Sequence, residues 1–171
     1  SPEGLERFPR FSPDGKQIAF SGNYEGGTDL YTISINGGIA ERKTFHPASE
    51  SICDWTPDGK GLIYSSNGMS GLGRVSQLFT IADSDPLPKQ LPVPYGTNGA
   101  LSPDGKWLAY TTTLDQPGQQ SGNDGSANDV WRVSLNGGEP EKFFRFPSRI
   151  HDLCWAADGA GWFVVTELGG G

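Results

Sequence analysis

One short phrase recurs four times along the chain and limits what it can fold into. It reads Ser12-Pro13-Asp14-Gly15-Lys16, Thr56-Pro57-Asp58-Gly59-Lys60, Ser102-Pro103-Asp104-Gly105-Lys106 and, in a worn form, Ala156-Ala157-Asp158-Gly159. Pro presets φ at the second turn position, Asp suits the third, and Gly accepts the left-handed residue that returns the chain. Each copy follows an aromatic residue or Leu (Phe11, Trp55, Leu101, Trp155) and precedes a short apolar run, so each predicts a hairpin turn between two strands. The aspartates lie about 44 to 54 residues apart. A supersecondary unit repeated at roughly that period, with several strands per unit, predicts the blades of a β-propeller.

Aligning the chain on these turns gives four columns of strand. An inner strand ends at the aromatic or Leu. The next strand carries Ile18 and Phe20, Leu62 and Tyr64, Leu108 and Tyr110, Trp162 and Val164, with Ala19, Ile63, Ala109 and Phe163 on its other face. Apolar residues on both faces require a sheet covered on both sides, as when blades stack face to face. A third strand spans 30–35, 78–83 and 130–135. In two repeats it runs into Asn36-Gly37-Gly38 and Asn136-Gly137-Gly138, where Asn-Gly predicts a type I′ hairpin. The outer strand is expected near 39–45, 87–93 and 139–145, where Pro88 and Pro92 are tolerable because an outermost strand can spare ladder donors.

The expected fold is therefore all-β: a propeller of four-stranded antiparallel blades over residues 1–171. The blades fall at about 5–46, 49–93 and 96–146, with a half blade at about 149–167. Three and a half blades make an arc of a larger ring of six or seven. An open arc leaves flat apolar faces at its two ends, so more polypeptide or a second copy, associating through the open blade edges, is expected to cover them.

Composition narrows the partners. A net charge of −7 and a pI near 4.7 set the field of the molecule against nucleic acid, whose binding needs cationic side chains. No apolar run approaches the roughly 18 residues that span a bilayer, so membrane insertion is not expected. Cys53 and Cys154 fall on inner strands two repeats apart, too far for a disulfide, and read as small apolar residues. Free thiols point to a cytoplasmic setting. A periplasmic or secreted one stays open, because Ser1 is no natural start and a leader would have been removed.

A search for chemistry finds no catalytic constellation. His46 lies in a Phe-His-Pro turn and His151 at the start of an inner strand, giving neither a metal clamp nor a Ser-His pair, and no cofactor is expected. Single aspartates in the turns do not make calcium loops, which need several carboxylates within about a dozen residues. Two candidate features remain. Arg7, Ser51, Thr97 and His151 each stand four residues before the inner-strand aromatic or Leu, and would ring one mouth of the central channel as a binding surface or cap the strand as polar loop ends. Arg10 and Asp54, one residue before their aromatics, would pair between adjacent blades. The irregular loops at 67–76 and 113–128 are either further binding elements or surface connections.

Particular phrases carry a family resemblance. Pro9-Arg10-Phe11-Ser12-Pro13-Asp14-Gly15-Lys16, Ile18-Ala19-Phe20-Ser21-Gly22 and Thr28-Asp29-Leu30-Tyr31 resemble the propeller repeats of TolB and its relatives. Phe45-His46-Pro47-Ala48, Asp54-Trp55-Thr56-Pro57-Asp58-Gly59-Lys60 and Leu91-Pro92-Val93-Pro94-Tyr95-Gly96 are similar to the amino-terminal propeller of tricorn-type proteases. That resemblance implies a non-catalytic module guiding or filtering peptides for a hydrolytic domain elsewhere in the polypeptide, with a peptide or protein segment as partner. A TolB-like interaction scaffold and the propeller of an amidohydrolase fusion are the alternatives.

Overall fold

A computed structural model describes residues 4–24, 26–68, 75–112 and 129–166. The first sheet holds β1 (Glu6–Phe11), β2 (Gln17–Gly22), β3 (Asp29–Ser34) and β4 (Glu41–Arg42); the second holds β5 (Glu50–Trp55), β6 (Gly61–Ser66), β7 (Gln77–Ala82) and β8 (Asp85–Gln90). The third comprises β9 (Gly99–Leu101), β10 (Trp107–Thr111), β11 (Asp129–Ser134) and β12 (Glu141–Arg145). A last pair, β13 (Ile150–Trp155) and β14 (Trp162–Thr166), forms a half blade. Strands pair antiparallel in chain order throughout, giving the all-β arc of propeller blades that the repeat predicts.

The turn phrase behaves as its residues dictate. Gly15 N–H donates to Ser12 O at 2.8 Å, and Gly15, Gly59 and Gly105 each sit at φ 69°, with Gly159 at 72°. The hydroxyls of Ser12, Thr56 and Ser102 donate to Asp14, Asp58 and Asp104 at 2.7, 2.6 and 2.6 Å, holding those carboxyls below the usual carboxylate range. The Asn-Gly turns differ from expectation. Asn36 and Asn136 do not take positive φ; Gly37 and Gly38 do, at 85° and 120°, as do Gly137 and Gly138. Gly37 N–H closes on Ser34 O at 2.9 Å, so Ile35 and Asn36 form the turn centre and the glycines follow it. A type I′ turn would need Asn itself in the left-handed region.

Successive blades stack through their two apolar faces. Ala19 and Leu30 of the first blade meet Ile52, Trp55 and Phe79 of the second. Ile63 and Leu78 of the second meet Leu108 and Trp131 of the third, with Leu91 and Val93 filling the outer part. Ala109 and Val130 of the third meet Ile150 and Leu153 of the half blade. Each buried Val, Leu, Ile or Phe among them contributes roughly 1.5–3 kcal/mol. Pro86 and Pro88 lie in β8, the outermost strand of its sheet, where missing donors cost nothing. Most of the 67–76 loop and all of 113–128 lie outside the described residues.

Candidate functional site at the inner-strand end

The innermost strand of every blade carries one residue more than its partner over the same length. In β5, Ile52 faces Tyr64 and Asp54 faces Ile63, leaving Cys53 extra; in β13, Ile150 faces Thr166 and Asp152 faces Val165, leaving His151 extra. Ahead of β9, Thr97 N–H donates to Thr111 O at 2.8 Å while Thr111 N–H donates to Asn98 O at 3.0 Å, so two residues again share one partner. In β1 the extra residue falls between Arg7 and Arg10. Such bulges re-aim side chains, and here they bend the inner strands around one cavity of about 340 Å³.

Ser51, Thr97 and His151 all line that cavity; Arg7 does not. The register places Arg7 opposite Ser21 just as Ser51 stands opposite Ser65. The β1 bulge then intervenes: Phe8 adopts φ 57°, and Phe8, rather than Arg7, lines the cavity. Pro9 was the readable signal, because proline inside a strand marks an edge or a bulge.

Arg10 forms the floor, and its partner differs from the expected Asp54. Its Nε donates to Cys53 O at 2.7 Å, its Nη1 to Pro9 O at 3.2 Å, and its Nη2 pairs with the Asp152 carboxylate. One guanidinium thus ties the inner strands of the first, second and fourth blades. Asp54 instead accepts the N–H of Trp55 at 2.8 Å, and burial raises its pKa, with Arg10 opposing and Asp152 reinforcing the rise. The arc curves enough to bring β13 within reach of Arg10, and curvature is not visible in a repeat alignment.

The walls are fixed by bonds between blades. Trp55 Nε1 donates to Arg10 O at 3.0 Å, Trp155 Nε1 to Ala100 O at 2.9 Å, and Ile52 N–H to the Ser21 hydroxyl at 2.8 Å. The Cys53 thiol donates to Thr97 O at 3.1 Å, and burial pushes its pKa up to about 12, so it is a packed donor and not a nucleophile. Cys154 is half-buried and is likewise shifted up by burial. Among the described residues no group of three His, Cys, Asp or Glu side chains is placed to hold a metal ion. The hydroxyl-bearing Ser51, Ser65 and Ser76 and the exposed Arg149 also border the cavity, while the Thr97 hydroxyl is engaged by the Thr111 hydroxyl at 2.9 Å and carbonyl at 3.2 Å, and Asn98 Nδ2 donates to the Thr111 hydroxyl at 3.1 Å. A larger groove between the first two blades is spanned by Lys43, paired with Glu41 and Asp83 at 2.9 Å each, and so meets its own charges internally.

The family model of the tricorn protease N-terminal beta propeller domain matches residues 1–165. The chain belongs to that family. It is 31% identical over 144 residues to the Bacillus subtilis (strain 168) protein named uncharacterized peptidase YuxL, taking in 63% of this chain and 22% of the relative. It is 30% identical over 95 residues to tricorn protease homolog 1 of Streptomyces coelicolor, taking in 55% of this chain and 9% of the relative. The tricorn-type propeller described here therefore spans less than a quarter of either curated relative. TolB from Acinetobacter baumannii superposes with a TM-score of 0.71 at 24% identity over 94% of this chain and 37% of that one, a likeness of fold.

Proposed function

We propose that this chain is the propeller module of a tricorn-like peptidase, and that its inner-strand cavity receives an extended peptide on the way to or from the hydrolytic part of that protein. The observation that carries this reading is the meeting of Ser51, Thr97 and His151, from three separate blades, on one cavity beside the propeller axis. The Ser51 hydroxyl and the Asn98 side-chain carbonyl on that cavity can pair with a peptide backbone whatever its sequence, as a guiding surface must. The peptidase names of two relatives support the hydrolytic context.

Anisotropy titration of fluorescein-labelled hexapeptides tests it. Saturable binding is expected, and Ser51→Ala, which leaves the Thr97–Thr111 bonds of the third blade intact, should weaken it by roughly fivefold, the equivalent of one hydrogen bond of about 1 kcal/mol. Absence of saturable binding to any of a varied peptide set would overturn the reading. The chain itself should cleave none of these peptides.

A further inference from the structure

Phe8 is the one non-glycine residue with positive φ among the described residues. For a bulky side chain the left-handed region is a conformational outlier that costs stability, and such strain persists where the surroundings impose it, often at ligand sites. Phe8 is 45% exposed and makes no ring–ring or cation–ring contact among the described residues. At the matching register position of the second blade, Ile52 also borders the cavity, but it keeps a negative φ and is buried against Ala19 and Leu30. The β1 bulge therefore takes an aromatic residue out of the stacking pattern and sets it on the cavity wall, in company with Ser51 and Thr97.

We infer that Phe8 is the specificity-determining anchor of this cavity: it receives an apolar side chain of the bound peptide while the Ser51 hydroxyl and the Asn98 side-chain carbonyl hold the backbone. The inference rests on the peptide-binding reading above and adds the class of peptide, an extended segment with an aliphatic or aromatic residue between polar neighbours. An exposed aromatic beside polar groups that can satisfy a backbone is the usual composition of an energetic hot spot.

Two labelled hexapeptides of Ser and Gly, one with a central Leu and the other with Ser in its place, supply the test, with Phe8→Gly and Phe8→Tyr as variants. The unaltered chain should bind the Leu peptide at least about tenfold more tightly, as expected for an aromatic hot spot. Phe8→Gly should abolish that preference while leaving the thermal midpoint unchanged or higher, because glycine adopts φ 57° freely. Phe8→Tyr should keep the preference. Equal binding of both peptides by the unaltered chain, or a preference that survives Phe8→Gly, would overturn the role of Phe8 while leaving peptide binding intact. Loss of the preference in Phe8→Tyr as well would assign the effect to the backbone of the bulge and also overturn the inference. Binding of neither peptide would remove the anchor together with the broader reading.

Discussion

Trp55 and Phe11 occupy the same column of the repeat, at the end of an innermost strand just before the turn phrase. Trp55 is 7% exposed and Phe11 68%. The same holds on the opposite face: Ile63 is fully buried between the second and third blades, whereas Phe163, its counterpart in the half blade, is 67% exposed. Local sequence, strand pairing and turn chemistry are alike at the inner and end positions; the difference lies in whether a neighbouring blade stands against the face. Apolar patterning in a stacked repeat specifies an interface, and the interface forms only where both halves are present.

The largest expected effect breaks this comparison directly. Trp55→Ala removes a packed indole and its bond to Arg10 O and should cost about 3–5 kcal/mol in urea unfolding. Phe11→Ala should fall within about 0.5 kcal/mol. Equal costs would mean that the Phe11 face is covered in solution, and light scattering would then show whether a second copy covers it.

Glu50 and Glu6 extend the contrast to a charged position. Both open their inner strands, opposite Ser66 and Gly22 respectively. Glu6 is exposed and accepts the Tyr24 hydroxyl. Glu50 is buried at the joint between the first two blades, where its Oε2 and the nearby Tyr64 hydroxyl have no hydrogen-bond partner among the described residues. The adjacent guanidinium of Arg42 binds Asp29 at 2.8 Å. Burial raises the Glu50 pKa to about 7, with the Thr44 hydroxyl and Arg42 opposing the rise and Asp29 adding to it. A folded-state pKa above the unfolded value means that the native state holds the proton more tightly. The stabilisation is complete below the unfolded pKa of about 4.5 and is lost as pH rises through about 7, a fall of about 3 kcal/mol. Glu50→Gln should flatten that part of the stability–pH profile and raise stability at pH 8. A profile unchanged by the substitution would show that Glu50 is solvated in the native state.

The Arg10–Asp152 pair sharpens the comparison at the axis, since it joins the exposed first blade to the exposed half blade. Both groups are partly buried, so a double-mutant cycle with Arg10→Met and Asp152→Asn should return a coupling of about 1–2 kcal/mol. Zero coupling would mean that the two ends of the arc move independently.

Much of this was legible before any coordinates. Strand columns, blade order and the left-handed glycines of the turn phrase follow from period-2 patterning and the chemistry of Pro, Asp and Gly, all local properties. The same alignment puts Ser51, Thr97 and His151 in one column, and those three line one cavity. What escaped depended on other things. A one-residue bulge exchanges Arg7 for Phe8 without altering the hydrophobic pattern around it. The choice of Asp152 over Asp54 depends on how sharply the blades curve about their axis. Asn36 resembles a type I′ residue until the turn proves long enough to place the positive φ angles on the glycines behind it.

The fourth turn offers the smallest effect and the most local form of the comparison. In the other three, the Ser or Thr hydroxyl both donates to the Asp carboxylate and accepts a backbone N–H five residues later, at 2.9, 2.8 and 3.0 Å. Ala156 has no hydroxyl, and Asp158 accepts the N–H of Ala160 at 2.9 Å. The backbone is otherwise the same: Gly159 N–H reaches Ala156 O at 2.9 Å, and Ala156 N–H reaches Gly161 O at 2.8 Å. Ala156→Ser should therefore restore two hydrogen bonds without moving the chain and stabilise the half blade by about 0.5–1.5 kcal/mol, read as slower amide exchange at Ala160 and Gly161. Unchanged exchange would place the strength of this turn in its backbone and left-handed glycine alone, and would make the hydroxyl of the other three copies dispensable.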